Sequence, residues 1–236
     1  MHLAGLLIVF VLVLGPSDAG AFESVRDQEI RECRSGEVAT WNDGQDRPAI
    51  SPTLSFTYNP ADAPAWFSEA LVAGIATRAV GAWSQCGVPG RMLAWAGTAQ
   101  QAPGVIVIQW SEKDSAGNFG LANLGRRTLS LGPKAFELLR SRNPKHDARE
   151  TLQMVISHEM GHVFGLMAHS RRCVDVLSYY HNGKGEKCHS RAPSQMGSVA
   201  EYRHVLPTAC DIERCRKANG MPPLQEGGPA LQLPAR

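Results

Sequence analysis

Residues 147–170 read DARETLQMVISHEMGHVFGLMAHS. Asp147 and Glu150 stand in the D-x-x-E spacing of a helix N-terminus, which starts a helix at Ala148. Its apolar positions Leu152, Val155, Ile156 and Val163 share one side, and Gly165 is a natural stop. His158 and His162 are separated by about 400° of helical rotation, so both imidazoles leave one face a turn apart and can reach one metal ion at about 2.0–2.1 Å. Glu159 sits beside the first histidine, placed to face the open position of a metal without ligating it. A third histidine, His169, follows the glycine.

Upstream, residues 53–58 (TLSFTY) alternate with Leu54, Phe56 and Tyr58 on one face, the signature of a half-buried strand. From Pro64 to about Ser84 the set Phe67, Leu71, Ile75 and Ala79 marks a long amphipathic helix, closed by Cys86-Gly87 and Pro89-Gly90. Met92 to Trp95 and Val105 to Trp110 read as strands. Two more fit between Gly117 and Leu131, the first at an edge because Gly and Asn are poor central-strand residues. Thr208 to Lys217 reads as a final short helix, and the stretch from Gly220 to Arg236 has few large apolar groups to bury. The order strand, helix, four strands, helix describes one α/β domain.

At 236 residues the chain has room for one domain or two small ones. Its 43% apolar and 19% charged residues exclude a disordered tail protein and a membrane bundle. A formal charge of +2 gives no reason to expect a nucleic-acid partner. Residues 3–14 (LAGLLIVFVLVL) form an apolar run too short for a ~30 Å hydrocarbon core. Ala19-Gly20-Ala21 is a small-x-small pattern preceding a signal-peptidase cut, with Phe22 as the mature start. The mature protein is therefore expected outside the cell or in a periplasm, with no membrane attachment after cleavage. In an oxidising compartment the six cysteines favour three disulfides, and Cys173 with Cys188 would clip a turn-rich loop.

HEMGHVFGLMAHS resembles the metzincin zinc signature HExxHxxGxxH, and the closing His169-Ser170 is similar to the matrixin branch. The resemblance implies one catalytic Zn²⁺ held by His158, His162 and His169, with Glu159 as general base and Gly165 turning the chain back to the metal. His169 follows Gly165 by four positions where the pattern has three. Either the loop Leu166-Met167-Ala168 bulges and still delivers His169, or His189 or His204 takes its place. Ser194-Gln195-Met196-Gly197 resembles the methionine turn that lies beneath the metal in that family. Tyr202 follows it at a longer spacing than the family's tyrosine and is read as a core or surface aromatic. Gln85-Cys86-Gly87-Val88-Pro89 is similar to the matrixin latency peptide but lies inside the domain, so Cys86, like Cys33, is read as half of a disulfide. The likeness covers residues 50–218, after a signal (1–21) and an N-terminal extension (22–49) and before a mobile tail (219–236). It implies a twisted mixed sheet of about five strands, two long helices and a short C-terminal helix.

The expected activity is that of a secreted, monomeric zinc endopeptidase. A zinc-activated water attacks the peptide carbonyl, and Glu159 takes its proton and returns it to the leaving amine. The polypeptide substrate would add as a strand along the edge near Gly120, Leu121 and Ala122, with a side-chain pocket near Val199. The alternatives are a catalytically inactive zinc-binding module and a non-peptidase zinc amidase on the same scaffold. There is no D-x-D-x-D-G loop, so calcium has no clear motif behind it.

Overall fold

Val105–Trp110 is buried at five of its six positions, so both faces meet protein and the strand belongs inside a sheet. The computed structural model, which describes residues 23–97, 104–197 and 201–224, places it there. In chain order the elements are α1 (Val25–Arg31), β1 (Leu54–Tyr58), α2 (Glu69–Ser84), β2 (Gly90–Leu93), β3 (Val105–Trp110), α3 (Glu112–Ser115), β4 (Gly120–Asn123), β5 (Thr128–Leu131), α4 (Pro133–Arg142), α5 (Ala148–Val163), α6 (Pro193–Met196) and α7 (Ala209–Ala218). The strands form one mixed sheet in the order β2-β1-β3-β5-β4. Four run parallel, and β4 returns antiparallel to β5 along the edge. This is the α+β architecture expected from the sequence: five strands, two 16-residue helices and a short C-terminal helix.

α2 packs along α5 and against β2, and α5 packs against β4 and β5. The core joins Phe56, Ile106, Ile108 and Leu129 of the sheet to Ile75, Ala79 and Trp83 of α2 and to Leu152, Ile156 and Met160 of α5. At about 1.5–3 kcal/mol for each large apolar side chain fully buried, this layer fixes α5 and the groups it carries. The Trp83 indole N–H donates to the Ser157 carbonyl at 2.8 Å, tying the two helices one residue before His158.

Several elements depart from the sequence expectation for local reasons. α2 begins at Glu69 rather than near Pro64, because Ser68 is extended and its side chain accepts from the Leu71 amide. Asp147 caps α5 but makes no reciprocal box with Glu150; it takes the amide and guanidinium of Arg149 instead. The reciprocal box occurs at α7, between Thr208 and Asp211. α4 carries no apolar period, and only Phe136 is buried, edge-on to Phe67 and Phe119. α1, in the stretch read as an extension, buries Glu29 and Ile30.

All six cysteines pair, as Cys33–Cys210, Cys86–Cys215 and Cys173–Cys188. The last is the pair expected from the sequence. The other two hold α7 to the N-terminal segment and to the end of α2. Three disulfides are the chemistry of a chain that matures under oxidising conditions. Among the described residues no helix is long and apolar enough to cross a membrane. The expected signal peptide, most of the expected tail and Val199 lie outside the described residues.

Candidate metal centre

α5 delivers the buried His158 and Glu159 and the half-buried His162. His158 and Glu159 are each 8% exposed. The His158 Nδ1 pairs with the Val176 carbonyl at 2.8 Å, and the His162 Nδ1 with the Leu166 carbonyl at 2.7 Å. The chain leaves the helix through Gly165, whose φ of +109° suits glycine, and a Cβ there would lie 2.1 Å from the Arg47 carbonyl oxygen. The next three residues, Leu166, Met167 and Ala168, bring His169 back beside the other two histidines. The three rings form a near-equilateral triangle with centroids 5.2, 5.1 and 5.1 Å apart.

One ring nitrogen of each histidine is engaged, and the candidate ligand atoms lie within 4.8 Å of one another. The His169 Nε2 is buried without a hydrogen-bond partner. A buried polar atom left alone is rare in a native fold, and here it faces two more imidazoles. Three neutral nitrogen donors with no thiolate among them match the donor set of a zinc site that keeps one position open. Burial, followed by mutual repulsion for His158, holds that imidazole well below its ordinary pKa. Burial brings His162 to about 4 and lowers His169. At neutral pH all three rings are uncharged with lone pairs available. The structure thus brings together His158, His162 and His169. His189 and His204 are not in this group; the His204 Nδ1 faces the Leu206 carbonyl at 2.9 Å.

Glu159 lies on the same helix, and its Oε2 accepts the Ala122 amide of edge strand β4 at 2.8 Å. Burial pushes its carboxyl up to about 7, against the opposing pull of that amide. β4 can come this close because residue 120 is glycine: a Cβ there would lie 2.6 Å from Val155 and 2.9 Å from Glu159.

The clipped loop touches the histidines through Val176 and Tyr179. Leu177 is fully buried, and a Cβ on Gly161 would strike it at 2.5 Å. Met196 packs against a second cluster formed by Ile30, Cys173, Val174, Cys188 and Tyr202. The short α6 leaves Met196 half-buried there. Tyr202 is a core residue whose hydroxyl donates to Glu29 at 2.7 Å. The aromatic beside the histidines is Tyr179, its ring stacked 3.8 Å from that of His169 and 41% of the residue exposed. Nothing in its sequence neighbourhood marks it, because the turn-rich loop has no period to read. The Asp211 Oδ2 accepts the Val176 amide at 2.9 Å, so the cap of α7 steadies the carbonyl that orients His158.

No family model and no curated protein matches this chain. Among solved structures, a chain of the GM1 bound form of the ECX AB5 holotoxin is similar with a TM-score of 0.44 and 13% identity, over 77% of this chain and 86% of that one. A likeness at that level carries no argument about function.

Proposed function

We propose that the protein is a secreted zinc-dependent endopeptidase with a metzincin-like, matrixin-like site, in which His158, His162 and His169 hold the metal and Glu159 is the general base. The observation behind this reading is the convergence of three neutral imidazoles around the partnerless Nε2 of His169, with a buried carboxylate one residue along the same helix. A zinc ion there would supply Lewis acidity toward a carbonyl oxygen and bring the pKa of a bound water to about 7.

The chain's own groups provide the rest. Glu159, poised near neutrality, takes a proton from the attacking water and passes it to the departing amine. Tyr179 keeps its proton, since burial raises its pKa, and offers its phenol to the charge that develops on the carbonyl oxygen. β4 lies at the sheet edge with Leu121 exposed, so an extended polypeptide can add to it through main-chain hydrogen bonds.

The test is Glu159→Ala. Zinc content should stay near one ion per chain while cleavage of a denatured protein is abolished. Cleavage at the wild-type rate would refute the role of Glu159. Turnover of a small amide without internal cleavage of polypeptide would favour the amidase alternative. Zinc binding without either activity would favour the inactive module.

A further inference from the structure

We infer that Asp43 is the positioning residue that makes His169 a metal ligand, acting with Asp46 as a clamp that absorbs the extra residue between Gly165 and His169. This deepens the reading above and rests on it. The added residue lengthens the loop that leaves α5, and a longer loop has more ways of not returning its histidine. The Leu166 amide still donates to the Gly161 carbonyl of α5, but those of Met167, Ala168 and His169 lie beyond the reach of the helix, and such groups need acceptors when they are enclosed.

Two carboxylates from far upstream meet that need. The Asp46 Oδ1 accepts the amides of Met167 at 2.9 Å and Ala168 at 3.1 Å. The Asp43 Oδ1 accepts the His169 amide at 2.8 Å, and its Oδ2 pairs with the His169 Nδ1 at 2.7 Å. Three consecutive amides and one ring nitrogen are thus fixed by two side chains. The backbone holds the same register: the Trp41 amide donates to the His169 carbonyl, the Arg171 amide to Ala39, and the Arg47 amide to Gly165. Gly44, between the two aspartates, has no room for a Cβ, which would lie 2.5 Å from the Met167 carbonyl oxygen. Arg214 of α7 anchors the clamp from behind, with its Nε 2.5 Å from the Asp46 Oδ2.

The three histidines are not held alike. His158 and His162 are oriented by carbonyls, whereas His169 is oriented by a carboxylate. A carboxylate on Nδ1 fixes the proton there, turns the Nε2 lone pair toward the other rings and raises its basicity. Because Asp43 grips both the backbone and the ring of one residue, it sets the position and the rotation of His169 together.

The experiment is a zinc titration against a chromophoric chelator, using the full chain. Asp43→Ala should still bind one zinc at saturation but with affinity lowered about 10–100-fold. In the metal-free protein, ¹⁵N shifts should show the His169 proton on Nδ1 in the wild type and divided between the two nitrogens in the variant. Asp43→Asn should fall between, since one amide oxygen can accept from the ring or from the backbone but not from both. Asp147→Ala, which removes the α5 cap, controls for general loss of stability and should leave zinc affinity within about twofold. Affinity within about twofold of wild type in both Asp43 variants would overturn the proposal. If Asp43→Ala does not fold, Asp43→Asn decides by the same criterion. A wild-type protein that takes up no zinc would instead overturn the reading on which the proposal rests.

Discussion

Tyr179 stacks on a histidine that needs no stacking partner to keep its place, since Asp43 already holds both its ring and its backbone. On the proposed reading, its phenol would serve the reaction rather than hold the ring. Tyr179→Phe keeps the ring and removes one hydrogen-bond donor, so kcat/KM for a peptide should fall about 10²-fold with zinc content unchanged. An unaltered kcat/KM would reduce the ring to packing. His158, Glu159 and His162 were legible in the sequence because helix geometry alone converts their spacing into a shared face. His169 was legible only together with its competitors, because a loop has no period. Tyr179 and Asp43 were not legible at all: they reach the site from the clipped loop and from the N-terminal segment, and no local pattern records a contact between distant stretches.

The long elements were read well where one face is apolar. β3 and α5 appear with the expected bounds, and the glycine-bearing strand β4 lies at an edge. α4 escaped because one buried phenylalanine supplies no period, and the S-x-M motif gave no sign that Met196 would pack on the second cluster, because the composition of a turn does not say which core it will join. The turn that does matter is Gly165. Alanine there would combine the cost of a left-handed backbone with a Cβ 2.1 Å from the Arg47 carbonyl. Gly165→Ala should lower the free energy of unfolding by more than about 2 kcal/mol and weaken zinc binding as the clamp is pushed away. Chemical denaturation and the chelator titration would check each part, and a fully stable variant would contradict the close packing described for this turn.

Across the whole molecule, buried and half-buried ion pairs join the N-terminal segment to the loops around the site. Glu37 takes both the Nε and an Nη of Arg191 and lies beside Arg172. Burial pushes its carboxyl up, but the Arg191 hydrogen bonds, the Arg34 amide and the Arg172 charge outweigh that and bring it from 4.5 to about 2. A folded-state pKa below the unfolded one gives stability that is complete above pH 4.5 and lost as the pH falls toward 2. Glu37→Gln should therefore lower the urea midpoint most at pH 7, and the gap from wild type should narrow below 4.5. A gap that stays constant down to pH 2 would remove Glu37 from the acid sensitivity of the fold.

The clamp also has a direction in time. Asp43 precedes the histidine it holds by 126 residues, and Cys33 precedes its disulfide partner Cys210 by 177. A chain emerging from the ribosome exposes the clamp first, the helix with its two histidines much later, and the residues that tether the clamp last of all. A nascent chain that stops short of residue 169 has carboxylates with nothing to hold. One that stops short of residue 210 has the loop but lacks both the disulfide tether and Arg214. The grip on His169 is therefore complete only after residue 214 has been made and Cys33 has joined Cys210, which ties the geometry of this loop to the oxidation of the chain.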